Sequence, residues 1–311
     1  YTWFNRIIAI RFMEVNDYLP DGIRILSSER ENDKEPQIIR EVFNSDLEIS
    51  NSEKEEIYRL KENNETEKLF KFLFIKKCNK LNEILPELFE KTEDYTELLL
   101  PISINDEDGI VYKLINEVGE ENFKIKNTDD EEVEGQIEII GWLYQYYNEE
   151  KKNKVVGMNK GVIAKEVIPV ATQVFTTDWV VRYMVENSLG KYWIERNPNS
   201  KLKEKLKYFV TPKNGEIVYV DEKIKIEEIK FLEPCMGSGH ILVYAFDILM
   251  EIYREEGYLD RDAVRSILEN NLYGLDIDKR ACQLSYFALM MKAREYDRRF
   301  FSRGIKLNIN Y

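Results

Sequence analysis

Phe231-Leu232-Glu233-Pro234-Cys235-Met236-Gly237-Ser238-Gly239-His240 is the stretch that decides the fold. A short, mainly apolar strand, Ile229 to Leu232, ends in an acid and a proline. A Gly-Ser-Gly turn follows, and an almost wholly apolar helix begins near Ile241. A strand that turns sharply into a helix needs residues without a Cβ, so that the backbone can bend and a ligand can approach closely. The acid at the strand end can accept hydrogen bonds from a bound molecule, and the free amides of the helix start favour a negative group. Such an arrangement suits a nucleotide-like ligand at the carboxyl edge of a parallel sheet. Glycine-rich turns without a ligand are also common in α/β proteins, so the surrounding residues must discriminate. No Gly-Lys-Ser/Thr follows, which excludes a Walker loop. His240, Ile241 and Leu242 stand where a third glycine of a dinucleotide fingerprint would fall.

Downstream, Arg261 to Asn270 reads as a short helix with Asp260 as its cap, and Leu272-Tyr273-Gly274-Leu275-Asp276 as a second parallel strand. Lys279 to about Glu295 is a further helix, and Ile305 to Ile309 a third strand. Strand, helix, strand, helix, strand implies a parallel sheet with right-handed crossovers. Asp276, at the carboxyl end of the second strand, is placed to reach the two hydroxyls of a ribose held over the glycine turn. Ile277 would lie against an adenine ring, and Asp278 would cap the next helix; the structural alternative makes both aspartates caps or turn residues. Asp276 follows Gly237 by well over the roughly 20 residues of dinucleotide folds, which counts against a nicotinamide enzyme.

Upstream, Thr172-Gln173-Val174-Phe175-Thr176-Thr177-Asp178-Trp179 carries N-cap signals for a helix Trp179 to Leu189 that ends at Gly190. Ile217 to Val220 and Ile224 to Ile226 read as a small hairpin. From Thr2 to about Asn153 the pattern is mostly helical. Trp3, Ile7, Ile8, Ile10, Phe12 and Met13 crowd a segment that stops near Pro20-Asp21-Gly22. Ile57 to Leu60, Leu69 to Ile75 and Leu81 to Phe89 continue amphipathically, and Ile140, Leu143, Tyr144 and Tyr147 keep helical spacing. Lys151 to Lys165, with Gly157 and Gly161, reads as a linker. The expected architecture is α/β: an all-helical domain, 1–165, followed by part of a parallel-sheet domain, 166–311.

A chain of 311 residues can hold two cores, and 43% hydrophobic with 12% aromatic residues argue for a folded protein. The net charge of −13 is awkward for a nucleic-acid binder. The acid is unevenly spread, however: Asp106 to Asp108, Glu120 with Glu121, and Asp129 to Glu134 hold much of it. Lys292 to Lys306 is basic, with Arg294, Arg298, Arg299 and Arg303 as candidate phosphate-facing residues against the alternative of a solvated helix end. Cys78, Cys235 and Cys282 lie far apart, and His240 is the single histidine, so neither a disulfide framework nor a metal site is expected. That cysteine usage fits a reducing cytoplasm. The longest apolar stretch, Ile241 to Tyr253, is interrupted by Asp247 and Glu251 and is too short to span a bilayer. The chain opens at Tyr1 without a methionine, so its start is expected to lie upstream.

Glu233-Pro234-x-x-Gly237-Ser238-Gly239 resembles the S-adenosylmethionine turn of amino-group DNA methyltransferases, usually Asp-Pro-x-x-Gly-Ser-Gly. The order Val174-Phe175-Thr176-Thr177, then the glycine turn, then Gly274-Leu275-Asp276-Ile277-Asp278 is similar to the gamma class of N6-adenine DNA methyltransferases. Residues 3–14, 175–185, 234–242 and 293–301 resemble the PglX-like methyltransferases of bacteriophage-exclusion (BREX) systems, patchily in the first half and nearly continuously from Thr172.

The resemblance implies a Rossmann-like methyltransferase domain with S-adenosylmethionine held by Phe175, Thr176, Glu233, Pro234, Cys235, Gly237, Gly239, Asp276 and Ile277. Thr176 would contact the methionine end. Thr177 replaces the family's usual proline, Glu233 would accept from the cofactor's amino group, and Asp276 would take the ribose. Double-stranded DNA would be the partner, with other defence-system subunits alongside it. The family's catalytic Asn/Asp-Pro-Pro-Tyr/Phe occurs nowhere in these 311 residues. The chain is therefore expected to be a fragment that carries the cofactor half and is inactive alone. The alternatives are a methyltransferase of RNA, protein or small molecules, and a helical scaffold with a relic cofactor fold.

Overall fold

A helix without a polar face opens the chain: in α1 (Thr2–Val15) every residue from Asn5 to Val15 is buried. Charges inside such a helix persist only if they are paired and hydrogen-bonded. Arg11 donates to Glu14 Oε1 at 2.8 Å and to Ser27 Oγ at 3.1 Å. Glu14 Oε2 accepts from the Ile25 and Leu26 N–H groups at 2.9 Å each. The computed structural model describes residues 2–30, 33, 35–90, 102–125, 137–158, 164–174 and 176–311, in two compact units, Tyr1–Ile139 and Ile140–Tyr311. Phe175, Gly161 and the acidic run 129–134 lie outside the described residues.

The first unit continues with α2 (Gln37–Glu41), α3 (Asn51–Glu62), α4 (Thr66–Leu81) and α5 (Ile110–Asn116), and holds no strand among its described residues. A reciprocal capping box between Ser50 and Glu53 starts α3. Leu69, Phe70, Leu73, Phe74, Cys78 and Leu81 bury one face of α4. On that face Lys77 is fully buried and bridges Asp21 and Asp46. Burial works to raise the Asp21 carboxyl, but the Lys77 ammonium outweighs it and holds the group below its ordinary value. The helix expected over Leu81 to Phe89 is instead a set of turns. Pro86 has no N–H to continue the ladder, and Asn82 Nδ2 closes the segment by donating to the Phe89 carbonyl at 2.8 Å.

In the second unit α6 (Glu138–Met158) runs through the first part of the stretch read as a linker. Its Lys, Glu and Asn residues suit a solvated helix as well as a loop, and one glycine costs a helix only about 1 kcal/mol. Next come α7 (Ile168–Thr172), α8 (Asp178–Val185) and α9 (Lys191–Arg196). Gly190 does not end the helix: a π-turn, Glu186–Gly190, carries α8 into α9. A Cβ on Gly190 would lie 3.0 Å from Leu206 Cδ1, so the small residue serves packing rather than termination. Inside the π-turn, buried Glu186 accepts from Tyr244 Oη at 2.8 Å and from the Tyr208 N–H.

Three short strands, β1 (Phe231–Glu233), β2 (Leu272–Leu275) and β3 (Asn308–Asn310), form a parallel sheet in that order. Glu233 pairs with Gly274, and Gly274 with Ile309. Between them lie α10 (His240–Glu255), α11 (Asp260–Ser266) and α12 (Lys279–Tyr296), with α10 and α12 packed on the sheet and on each other. Asp260 does not cap α11; it pairs with Arg254 at 2.8 Å. β1 starts later than its apolar run because Asn271 Nδ2 takes the Ile226 and Ile229 carbonyls at 2.7 and 2.8 Å, fixing a turn before the strand. No hairpin forms over 217–226. Val218 and Tyr219 are exposed, and the Val220 N–H donates to the Glu195 carbonyl at 2.8 Å, so these β-prone residues have no strand beside them.

The sheet is tightest at Gly274, where a Cβ would come within 2.4 Å of Met236 Sδ and 2.9 Å of Leu242 Cδ1. Gly274→Ala is expected to lower stability by about 1–3 kcal/mol through overpacking, read as a lower urea midpoint at unchanged slope. A midpoint equal to the wild type would show that the contact relaxes without cost.

Candidate functional site

The carboxyl ends of β1 and β2 each run into a loop, and the two loops are bonded to one another. Beyond Glu233 the ladder continues through the Met236 N–H, which donates to the Leu275 carbonyl at 3.0 Å. Glu233 Oε1 folds back to accept from the Cys235 N–H at 3.0 Å. Gly237 and Gly239 sit at φ +54° and +91°, where L side chains are strained. The two glycines answer different needs. A Cβ on Gly237 would meet nothing within 4 Å, so the space over the bend is open; one on Gly239 would lie 2.5 Å from Ser285 Oγ and 3.0 Å from Ser285 Cα.

Asp276 joins the loops. Its Oδ2 accepts from the Gly237 N–H at 2.8 Å and its Oδ1 from the Asp278 N–H at 2.8 Å. The Asp276 N–H in turn donates to the Asn310 carbonyl at 3.2 Å, extending the ladder toward β3. Asp278 caps α12 as the sequence suggests, with Oδ1 accepting from the Arg280 N–H at 2.9 Å. Its second oxygen has a partner that sequence reading does not reveal: Tyr144 Oη, on α6, donates to Oδ2 at 2.7 Å. Burial, reinforced by the Asp278 carboxylate, pushes the Tyr144 hydroxyl above its ordinary value, so it stays a proton donor throughout the neutral range.

Above the bend lies an open cleft of ≈ 250 Å³. Pro234, Cys235, Gly237 and Ser238 line it from the first loop, and Asp276, Ile277, Asp278 and Ala281 from the second loop and the start of α12. Ile277 is 68% exposed, an apolar surface left uncovered beside the Asp276 carboxylate. Gly141 and Gln145 of α6 supply another wall, with Pro169, Thr172, Gln173 and Val174 around α7. The structure thus gathers Pro234, Cys235, Gly237, Asp276 and Ile277 on one cleft. Glu233, Gly239 and Thr176 stand adjacent without lining it, and Phe175 lies outside the described residues. The Thr176 carbonyl accepts from His240 Nδ1–H at 3.2 Å, so the lone histidine, which is buried, ties the segment before α8 to the start of α10.

The basic run is less uniform than its sequence. Lys292 pairs with Asp247 at 2.8 Å and with Glu295 at 3.1 Å, and Arg303 pairs with Asp297. Arg298 and Arg299 are exposed, and Arg294 is half-buried on α12. Among the described residues no group of His, Cys, Asp or Glu could hold a metal ion, and no helix is long and apolar enough to cross a membrane.

No family model matches the chain. It is 44% identical over 327 aligned positions to the adenine-specific methyltransferase PglX of Lacticaseibacillus casei (strain Zhang), an alignment covering 99% of this chain and 26% of that protein. It is 41% identical over 321 positions to the adenine-specific methyltransferase BrxX of Escherichia coli O9:H4 (strain HS), covering 99% of the chain and 25% of the relative. The chain spans about a quarter of the length of these curated relatives. That likeness runs over nearly every residue of the chain, which is therefore similar along its whole length to part of the PglX-like adenine-specific methyltransferases.

Proposed function

We propose that this chain is the cofactor-binding part of a DNA adenine-N6 methyltransferase of the phage-exclusion type, and that S-adenosylmethionine binds in the cleft over Gly237. The observation that carries this reading is the Asp276 carboxylate, held by the Gly237 amide at the mouth of an open bend. The donor set fits the group. A carboxylate has about four lone-pair sites. Asp276 uses one on each oxygen, which leaves acceptors for two vicinal hydroxyls. Ile277 offers an exposed apolar contact for a purine; Glu233 would serve an amino group only from beside the cleft, with Oε1 already accepting from the Cys235 N–H. When bound, S-adenosylmethionine supplies an electrophilic methyl group on its sulfonium. The residues of this chain orient it; Gly237 admits it, and Thr176 would contact its methionine end.

The relatives' printed names support adenine as the methyl acceptor. An adenine in duplex DNA must leave the stack before its exocyclic amine can be reached. Transfer is then mainly a matter of positioning and needs neither a metal nor a covalent intermediate. The Asn-Pro-Pro-Tyr type of acceptor for that amine is absent from these 311 residues, so we infer that they bind cofactor without methylating DNA by themselves. We further infer that the first unit acts as an all-helical module and that the second unit, α6 included, forms the cofactor half. Arg294, Arg298 and Arg299 would lie toward the phosphates, in a cytoplasmic protein that works with other defence subunits, whereas Arg303 is engaged by Asp297.

Calorimetry with S-adenosylmethionine tests the cleft. Asp276→Ala is expected to weaken binding by about tenfold or more, the loss of charged hydrogen bonds. Gly237→Leu should abolish binding, since it strains a positive φ and fills the open space. Heat and affinity indifferent to both changes would sink the assignment. Thiol labelling gives a second check. Burial holds Cys78 and Cys282 up to about 12, while Cys235 is exposed on the cleft. One thiol should react quickly in the native protein and three in denaturant, and S-adenosylmethionine should slow the first. A cofactor that leaves Cys235 labelling unchanged contradicts the site. Finally, these 311 residues incubated alone with DNA and cofactor should yield no N6-methyladenine by mass spectrometry; detecting it would overturn the inference that they are inactive alone.

A further inference from the structure

We propose that Tyr144 of α6 is a positioning residue for the cofactor's ribose, fixing the loop 276–278 through Asp278. This rests on the reading of the cleft given above. Capping α12 occupies only Asp278 Oδ1. The second oxygen is taken by Tyr144 Oη at 2.7 Å, a contact that helix capping does not require. The same residue's N–H donates to Asp276 Oδ1 at 2.8 Å, so a shift of Asp278 moves a donor on which the Asp276 carboxylate depends. Tyr144 is itself 2% exposed, so its hydroxyl is presented by a packed ring rather than a mobile one.

The helix that carries Tyr144 is also a wall of the cleft. Gly141 and Gln145, one helical turn apart and flanking Tyr144, both line it. A glycine inside a helix costs stability relative to other residues, and here it leaves the wall without a side chain where a ligand would lie. α6 therefore serves the site twice, as a boundary with room in it and as the support of the ribose-binding loop.

The test compares S-adenosylhomocysteine with its 2′-deoxy counterpart by calorimetry in the intact protein. Tyr144→Phe is expected to weaken the ribose ligand by about tenfold, the loss of one hydrogen bond to a charged group, and the deoxy ligand far less. Gly141→Leu, checked by its melting curve to be folded, should block both ligands; a folded variant that binds both as the wild type does overturns α6 as a wall of the cleft. Tyr144→Phe that weakens both ligands equally, or neither, while Asp276→Ala still abolishes the ribose preference, overturns the role of Tyr144 alone. Asp276→Ala that leaves both ligands bound as in the wild type overturns the ribose reading, and this inference with it.

Discussion

One hydrogen bond organises the sheet edge of the second unit: the Gly237 amide donating to Asp276 Oδ2 at 2.8 Å. It links the loops that leave two adjacent parallel strands, each only three or four residues long. Strands so short contribute few ladder bonds. The sheet gains reach because the Met236 and Asp276 amides extend the pairing into the loops at 3.0 and 3.2 Å. The carboxylate therefore stands on backbone that is already committed, and the bend beside it is kept open by a glycine whose missing side chain faces empty space.

Much of this was legible in the residues. A Gly-Ser-Gly turn after an acid, and a second acid at the next strand end, predict the bend and Asp276 because few residue types allow that backbone and that charge there. The cap at Asp278 follows from the same local chemistry. What the sequence did not disclose were partners at long range. Helical spacing placed Tyr144 on a buried face of α6, but periodicity reports burial and not the identity of what is touched, so its bond to Asp278 had no signal. Gly190 misled for a related reason: a glycine kept for a neighbour's side chain looks the same in sequence as one kept for a positive φ. The β-prone residues 217–226 misled because strand propensity is realised only beside another strand.

Electrostatics follow the same division between local and distant causes. The basic run after Lys292 reads as a cationic strip, yet Lys292 and Arg303 are occupied by Asp247, Glu295 and Asp297 within the fold. Counting charges along the chain overstates the positive surface, since buried and paired cations are spent on structure. In the first unit Arg11 and Lys77 are likewise engaged by Glu14 and Asp21, and because such pairs are neutral the net charge of −13 is carried by the remaining residues.

The bare Cα of Gly274 and the thioether of Met236 occupy one shared volume, with Leu242 as its third side. A methyl group added at Gly274 displaces the Met236 thioether and a Leu242 methyl, so the cost falls on how far those two flexible side-chain ends can withdraw.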